Sequence, residues 1–236
     1  MPTFPIQNIQ GVLFIQNFAF RNKLLIASKI NEALNNLFDG DPTILDLPPE
    51  APPEIPRIHL KDHNAVYSLN FSPIRIDFLY SEPGKPEKML KALSDAYLNY
   101  LFKIVDLIKS EYHLPTPRMA LVLKTLSEME TESGLLIHDK FLGGNLFFKG
   151  ASKLEIHALE KTTMKDYNIN RWFRIRTGIS AGIGLPVNEK ALSVEVDINT
   201  IPETDLDFDT EKIKDFYKSC LDFARQNFLS CFGESL

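Results

Sequence analysis

Ile74-Arg75-Ile76-Asp77-Phe78-Leu79-Tyr80 decides the fold class. Ile74, Ile76, Phe78 and Tyr80 recur every second residue with Arg75 and Asp77 between them, the period of a strand that buries one face and solvates the other. Working back along the chain, Tyr67, Leu69 and Phe71 alternate with Ser68 and Asn70, and Arg57-Ile58-His59-Leu60 alternates as well. Working forward, Pro83-Gly84 reads as a turn, and Pro86 with Glu87 as the opening of a long helix. Leu90, Leu93, Tyr97, Leu101, Ile104 and Ile108 mark its apolar stripe up to Tyr112. Three half-buried strands followed by an amphipathic helix predict an antiparallel sheet with helices on one face, an α+β fold.

The flanking segments extend the pattern. Val12 to Phe20 reads as a first strand and Arg21 to Phe38 as a helix, with Gly40 near its C-cap. Asp41 to Pro56 holds six of the fifteen prolines, which excludes a helix or a central strand there. That segment is either a polyproline-type recognition motif or a stiff crossover anchored by Ile44, Leu45, Leu47 and Ile55. Arg118 to Leu126 reads as a nearly continuous apolar strand, and residues 127–150 as loops or a short helix broken by Gly134, Gly143, Gly144 and Gly150. Alternation returns over Lys153–Leu159, Trp172–Ile179 and Leu192–Asn199, before a final helix from Thr210 to Phe232. The expectation is a single α+β domain over 1–236, with a pseudo-repeat of β-α-β-β-β-α-like halves, 1–114 and 115–236.

Composition narrows the function classes. The 236 residues are 44% hydrophobic and include 17 Phe and 7 Tyr, enough burial to exclude a disordered chain. Lys+Arg 26 against Asp+Glu 31 leaves a net charge of −5, which argues against broad nucleic-acid coating while allowing a local basic patch. The two cysteines, Cys220 and Cys231, exclude a disulfide-stapled scaffold. On one helix they stand about 16 Å apart, beyond the reach of roughly 7 Å that a disulfide allows. With no basic residue before Arg21 and no apolar run long enough to span a bilayer, a cytoplasmic location is expected and no membrane partner.

Strand alternation also places the polar residues. Opposite the apolar face stand Arg57, His59, Ser68, Asn70, Arg75 and Asp77 in the first half, and Lys153, Glu155, His157, Trp172, Arg174, Arg176, Glu195 and Asp197 in the second. Trp172, Arg174, Arg176, His157, Glu195, Asp197, His59, Arg75 and Asp77 are therefore the candidate binding residues. They form either a recognition face, with Trp172 as its anchor, or a set of cross-strand ion pairs on a solvated sheet.

Catalytic motifs do not assemble. Gly178-Ile179-Ser180-Ala181-Gly182 matches a nucleophile elbow, but Leu185-Pro186-Val187 does not read as the required helix and every His precedes Ser180. His59 and His63 lie about 13 Å apart on a strand, too far to share an ion. The acidic run Glu203–Asp209 lacks the glycine and terminal Glu of an EF-hand loop and suits a helix N-terminus instead. No phosphate loop or dinucleotide fingerprint occurs, so no cofactor, metal or catalytic residue is assigned.

Pro53-Glu54-Ile55-Pro56-Arg57-Ile58, Arg75-Ile76-Asp77-Phe78, Val196-Asp197-Ile198 and a terminal helix carrying Phe228 and Phe232 resemble a sporadically distributed, functionally uncharacterised family of bacterial proteins. The final helix lacks the His of that pattern. The resemblance implies an α+β fold, no established activity, and a mobile or defence-type gene context. The function expected is a non-catalytic interaction or accessory subunit with a protein partner or a second copy. A small-ligand or nucleic-acid binding module on the polar sheet face is the alternative, ahead of a serine hydrolase.

Overall fold

The computed structural model describes residues 3–48, 50–82, 87–130, 132–143, 151, 153–180, 187–202 and 207–233. In chain order the elements are β1 (Ile6–Phe14), α1 (Lys23–Ala33), β2 (Thr43–Ile44), β3 (Ile58–Lys61), β4 (Tyr67–Ser72), β5 (Arg75–Ser81), α2 (Leu90–Ser110), β6 (Arg118–Glu128), α3 (Ser133–Phe141), β7 (Glu155–Met164), β8 (Tyr167–Ser180), β9 (Val187–Thr200) and α4 (Thr210–Phe232). The nine strands form one sheet in the order β2-β3-β4-β5-β1-β6-β9-β8-β7, and every neighbouring pair is antiparallel. The chain is thus an α+β protein. From β1 to α2 the order is strand, helix, a meander and a helix, with β2 as an extra strand; β6 to α4 repeats it, and β1 and β6 meet at the centre.

The first strand starts earlier than its apolar run suggests. It occupies 6–14 because residues 15–20 curl around the β4–β5 hairpin: Ile15 N–H donates to Ile74 O and Phe18 N–H to Pro73 O. Phe18 then stacks on Phe71 at 5.1 Å. Helix α1 ends at Ala33 rather than Phe38, since Asn35 and Asn36 both take left-handed φ, 59° and 57°. The Asn31 side chain bonds both N–H and C=O of Phe38 and fixes the exit. Gly40 is not a cap; a Cβ there would meet Lys61 O at 2.8 Å. Helix α2 starts at Leu90 because Lys88 O is engaged by Ile6 N–H at 2.8 Å. The turn read at Pro83–Gly84 lies outside the described residues.

The described residues of the proline-rich segment 41–56 are held by Ile44, which pairs with Ile58 and packs against the core, and by polar contacts. Leu45 and Ile55 are exposed. Lys23 donates to Leu45 O and Asp46, while the Arg57 guanidinium donates to Ile55 O and Ala51 O. Arg57 is buried by these contacts and leaves the polar face to which alternation assigns it.

The core lies between the sheet and its helices. Leu93, Tyr97, Leu101, Ile104 and Ile108 of α2 and Ile213, Phe216, Cys220, Ala224 and Phe228 of α4 are all buried in it. Each fully buried aromatic or aliphatic side chain contributes about 1.5–3 kcal/mol. Tyr97 Oη donates to Phe78 O at 2.8 Å and Tyr217 Oη to Val12 O at 2.7 Å, using the second lone pair of carbonyls in the sheet. Helix α2 approaches β1 at Gly11, where a Cβ would meet Leu101 Cδ2 and Tyr97 Oη at 2.9 Å. Gly11→Val is expected to destabilise the protein by about 2–3 kcal/mol through overpacking, read as a lower denaturant midpoint.

Burial raises the pKa of Tyr67, Tyr80, Tyr97, Tyr112, Tyr167 and Tyr217 above the ordinary value of 10, and Tyr167 reaches about 12. A raised pKa favours the protonated phenol in the folded chain. The associated stability is therefore complete below pH 10 and declines as pH rises through 10 to 12. Absorbance titration should show these phenols ionising later in the native protein than in the unfolded chain, with a steep loss of stability over that window.

Candidate interaction surface on the uncovered sheet face

Register divides the sheet residues into two faces. Ile9, Gly11 and Leu13 of β1 pair with Tyr80, Phe78 and Ile76 and point toward the helices. Gln10, Val12 and Phe14 point the other way. Following the pairs outward from Val12 gives a row of Asp77, Val12, Ala120, Asn199 and Asn170. The parallel row through Gln10 runs Leu79, Gln10, Val122, Asp197, Trp172 and Leu159. None of the four helices packs on this face among the described residues.

Its apolar centre lies on β1 and β6, where Val12, Phe14, Ala120 and Val122 are contiguous; Gln10 separates Leu79 of β5 from Val122. Val12 is only 2% exposed although no helix covers it, because longer side chains stand around it. Phe14 lies between Arg75 and Arg118 in one row, and their guanidinium carbons sit 5.4 and 4.5 Å from its ring centre. Such cation–π contacts hold ring and guanidinium upright.

Two hydrogen-bonded clusters flank that centre. On the β5 side, Asp77 Oδ1 accepts from Gln10 Nε2 at 2.7 Å and from Arg75 Nε and Nη2 at 2.8 and 2.6 Å. On the β9 side, Arg118 donates to Thr200 O and Asn199 Oδ1, and Asn199 Nδ2 donates to Asp197 Oδ1 at 3.1 Å. Burial lowers the Arg118 pKa, with the Asp197 charge opposing that shift. Arg174 pairs with Glu195 and, at 3.5 Å, with Asp197, and lies 4.8 Å over the Trp172 ring.

Six of the residues expected from alternation come together. Trp172, Arg174, Arg176, His157, Glu195 and Asp197 occupy adjacent strands on one face, with Glu155 bridging His157 at 3.5 Å and Arg176 at 4.0 Å. Trp172 is half-buried under Arg174 rather than freely exposed. Arg75 and Asp77 form the second cluster, separated from the first by β1 and β6. His59 continues the row of Asp77 outward through Asn70, its Nδ1 2.7 Å from Asn70 Oδ1. Sequence reasoning missed Gln10, Phe14, Arg118, Val122 and Asn199. Gln10 and Arg118 lie beside apolar runs that show no alternation, and only strand pairing brings them between the two clusters.

The remaining motifs resolve as structural parts. Gly178, Ile179 and Ser180 belong to β8, and Ser180 pairs with Val187 of β9, the next described residue. Ala181 and Gly182 lie outside the described residues, as do Gly144 and residues 203–206 of the acidic run. Of that run, Asp207 binds Lys109 and Thr116 N–H, and Asp209 accepts from Lys212 N–H at the start of α4. Among the described residues no group of three or more His, Cys, Asp or Glu could hold a metal ion. No helix of the described residues is long and apolar enough to cross a membrane. A hollow of about 570 Å³ lies between residues 17–20 and 46–48. Its charged members, Lys23, Asp46 and Arg57, are already engaged: Lys23 bonds Asp46, and Arg57 bonds Ile55 O.

Comparisons with protein-family models, with curated proteins and with solved structures find no match. The geometry of the face therefore carries the functional argument. Part-exposed ion pairs such as Arg174–Glu195 contribute little to stability. Arg174→Ala is expected to cost under about 1 kcal/mol in denaturant unfolding.

Proposed function

We propose that the chain is a non-catalytic interaction protein whose uncovered sheet face docks a protein partner. The observation that supports this is the arrangement of that face: part-exposed Phe14 and Val122 over the buried Val12 and Ala120, with Leu79 across Gln10, flanked by fixed polar clusters. Protein interfaces have this anatomy, an apolar patch with a polar rim. The partner surface is flat and carries carboxylates. Lys124 and Lys161 of this face make no ion pair among the described residues, and Arg176 has only a 4.0 Å contact with Glu155. An excess of cations on a chain of net charge −5 steers an acidic patch toward this face.

A protein partner is favoured over a nucleic acid for two reasons. Phe14 and Trp172 already carry guanidiniums against their rings, so a base must displace an arginine to stack. Asp77, Glu195 and Asp197 stand among the arginines and repel phosphates. The bacterial family resemblance adds a proposed setting, an accessory role in a mobile or defence-type system, open to test by identifying the neighbouring gene products.

The test is affinity capture from the native source with the wild-type chain, Val122→Glu, Trp172→Ala/Arg174→Ala, and Leu135→Glu as a control on α3. Recovery of one partner by wild type and control, and its loss by roughly tenfold or more with both face variants, is the expected result. Equal recovery by the folded face variants overturns the proposal. So does single-stranded oligonucleotide binding tighter than about 10 µM at physiological salt.

A further inference from the structure

The two edges of the sheet are built differently. At one edge β2 is two residues long, and Pro42 precedes it while Pro48 and further prolines follow, so little unpaired backbone is offered. At the other edge β7 runs ten residues, Glu155 to Met164, without proline or glycine. Nothing among the described residues pairs with its outer side. A long regular edge of this kind is a template for another strand.

The direction of its free groups follows from the ladder. Leu154 O accepts from Thr177 N–H, and the two-residue turn Lys165–Asp166 closes on the pair Met164↔Tyr167. In an antiparallel ladder such bonded pairs alternate, so the even residues of β7 bond to β8. Glu155, His157, Leu159, Lys161 and Thr163 direct N–H and C=O outward, and their side chains lie on the uncovered face with Trp172.

We infer that β7 pairs antiparallel with β7 of a second copy, about a two-fold axis at Ala158, joining two sheets into one continuous face. Charge selects this register. Centred on Ala158, Glu155 stands opposite Lys161 of the other copy, twice over, and His157 opposite Leu159. Centring on Leu159 puts His157 against Lys161. Centring on Glu160 opposes two like carboxylates, and centring on His157 brings Lys153 against Lys161. The chosen register forms four narrow pairs, about eight N–H···O bonds, and covers Leu159, which is 44% exposed in the single chain. This association rests on the backbone edge of β7; it takes up Lys161 and leaves Lys124 and Arg176 to the sheet face.

Sedimentation of the full chain tests it. Wild type is expected to be dimeric at about 100 µM. Glu155→Lys and Lys161→Glu each turn two attractive pairs repulsive and should weaken the dimer roughly tenfold or more, while the double charge swap restores it. Leu159→Pro removes an outward N–H without touching the β7–β8 ladder and should leave a folded monomer. A monomeric wild type, or a dimer that survives Leu159→Pro with native circular dichroism, overturns the inference. If Leu159→Pro does not fold, the charge series decides alone: single variants that remain dimeric, or a swap that fails to restore the dimer, overturn it.

Discussion

The antiparallel pairing of β1 with β6 is the constraint on which the rest depends. It is the seam between two meanders, each of which ends in a long helix. A central strand must bury its helix-facing side completely, and β1 does this with Ile6, Ile9 and Leu13. The seam also leaves no room for a side chain at Gly11, where α2 lies against the strand. Tyr97 and Tyr217 then fasten α2 and α4 to β5 and β1 through carbonyls the ladder has already used once. Both helices are therefore committed to one side. Among the described residues the opposite side of the same strands carries no helix, because the long amphipathic helices lie on the first.

Much of this was legible in the alternation of single strands. Ile76, Phe78 and Tyr80 are buried and Arg75 and Asp77 are not, as a period of two requires. The helical stripe from Leu90 to Ile108 is buried residue for residue. What alternation does not encode is where a strand begins when apolar residues continue past its end. Ile15, Phe18 and Phe20 are as apolar as Val12 and Leu13, yet the chain turns away there, and Phe18 and Phe20 pack on Phe71. Helix α1 ends early for a similar reason: the periodic residues Leu34 and Leu37 continue the pattern, but two left-handed asparagines break the backbone between them.

The candidate surface was legible by halves. Trp172, Arg174, Glu195 and Asp197 occur on clearly alternating strands, so their common face follows from sequence. Phe14 and Arg118 do not, because β1 and β6 are central and nearly continuous in apolar residues. Their placement depends on a pairing between residues more than a hundred positions apart, Phe14 with Arg118. Long-range register of that kind has no local signature. It is nevertheless what converts two separate charge clusters into one surface with an apolar middle.

The chemistry of that surface is set by arginine more than by charge. A lysine at position 75, 118 or 174 could balance a carboxylate, but it could not lie flat against an aromatic ring while bonding an acid at its edge. Arg75 does both, toward Phe14 and Asp77, and Arg174 does both toward Trp172 and Asp197. Side chains fixed in this way lose little further conformational freedom when a partner arrives, which lowers the entropic cost of docking. The rings are held by their flanks rather than their tips, so what they present outward is an edge in a fixed position. Fixed edges and paired charges are the features on which the proposed docking of a folded protein rests, since base stacking needs open ring faces.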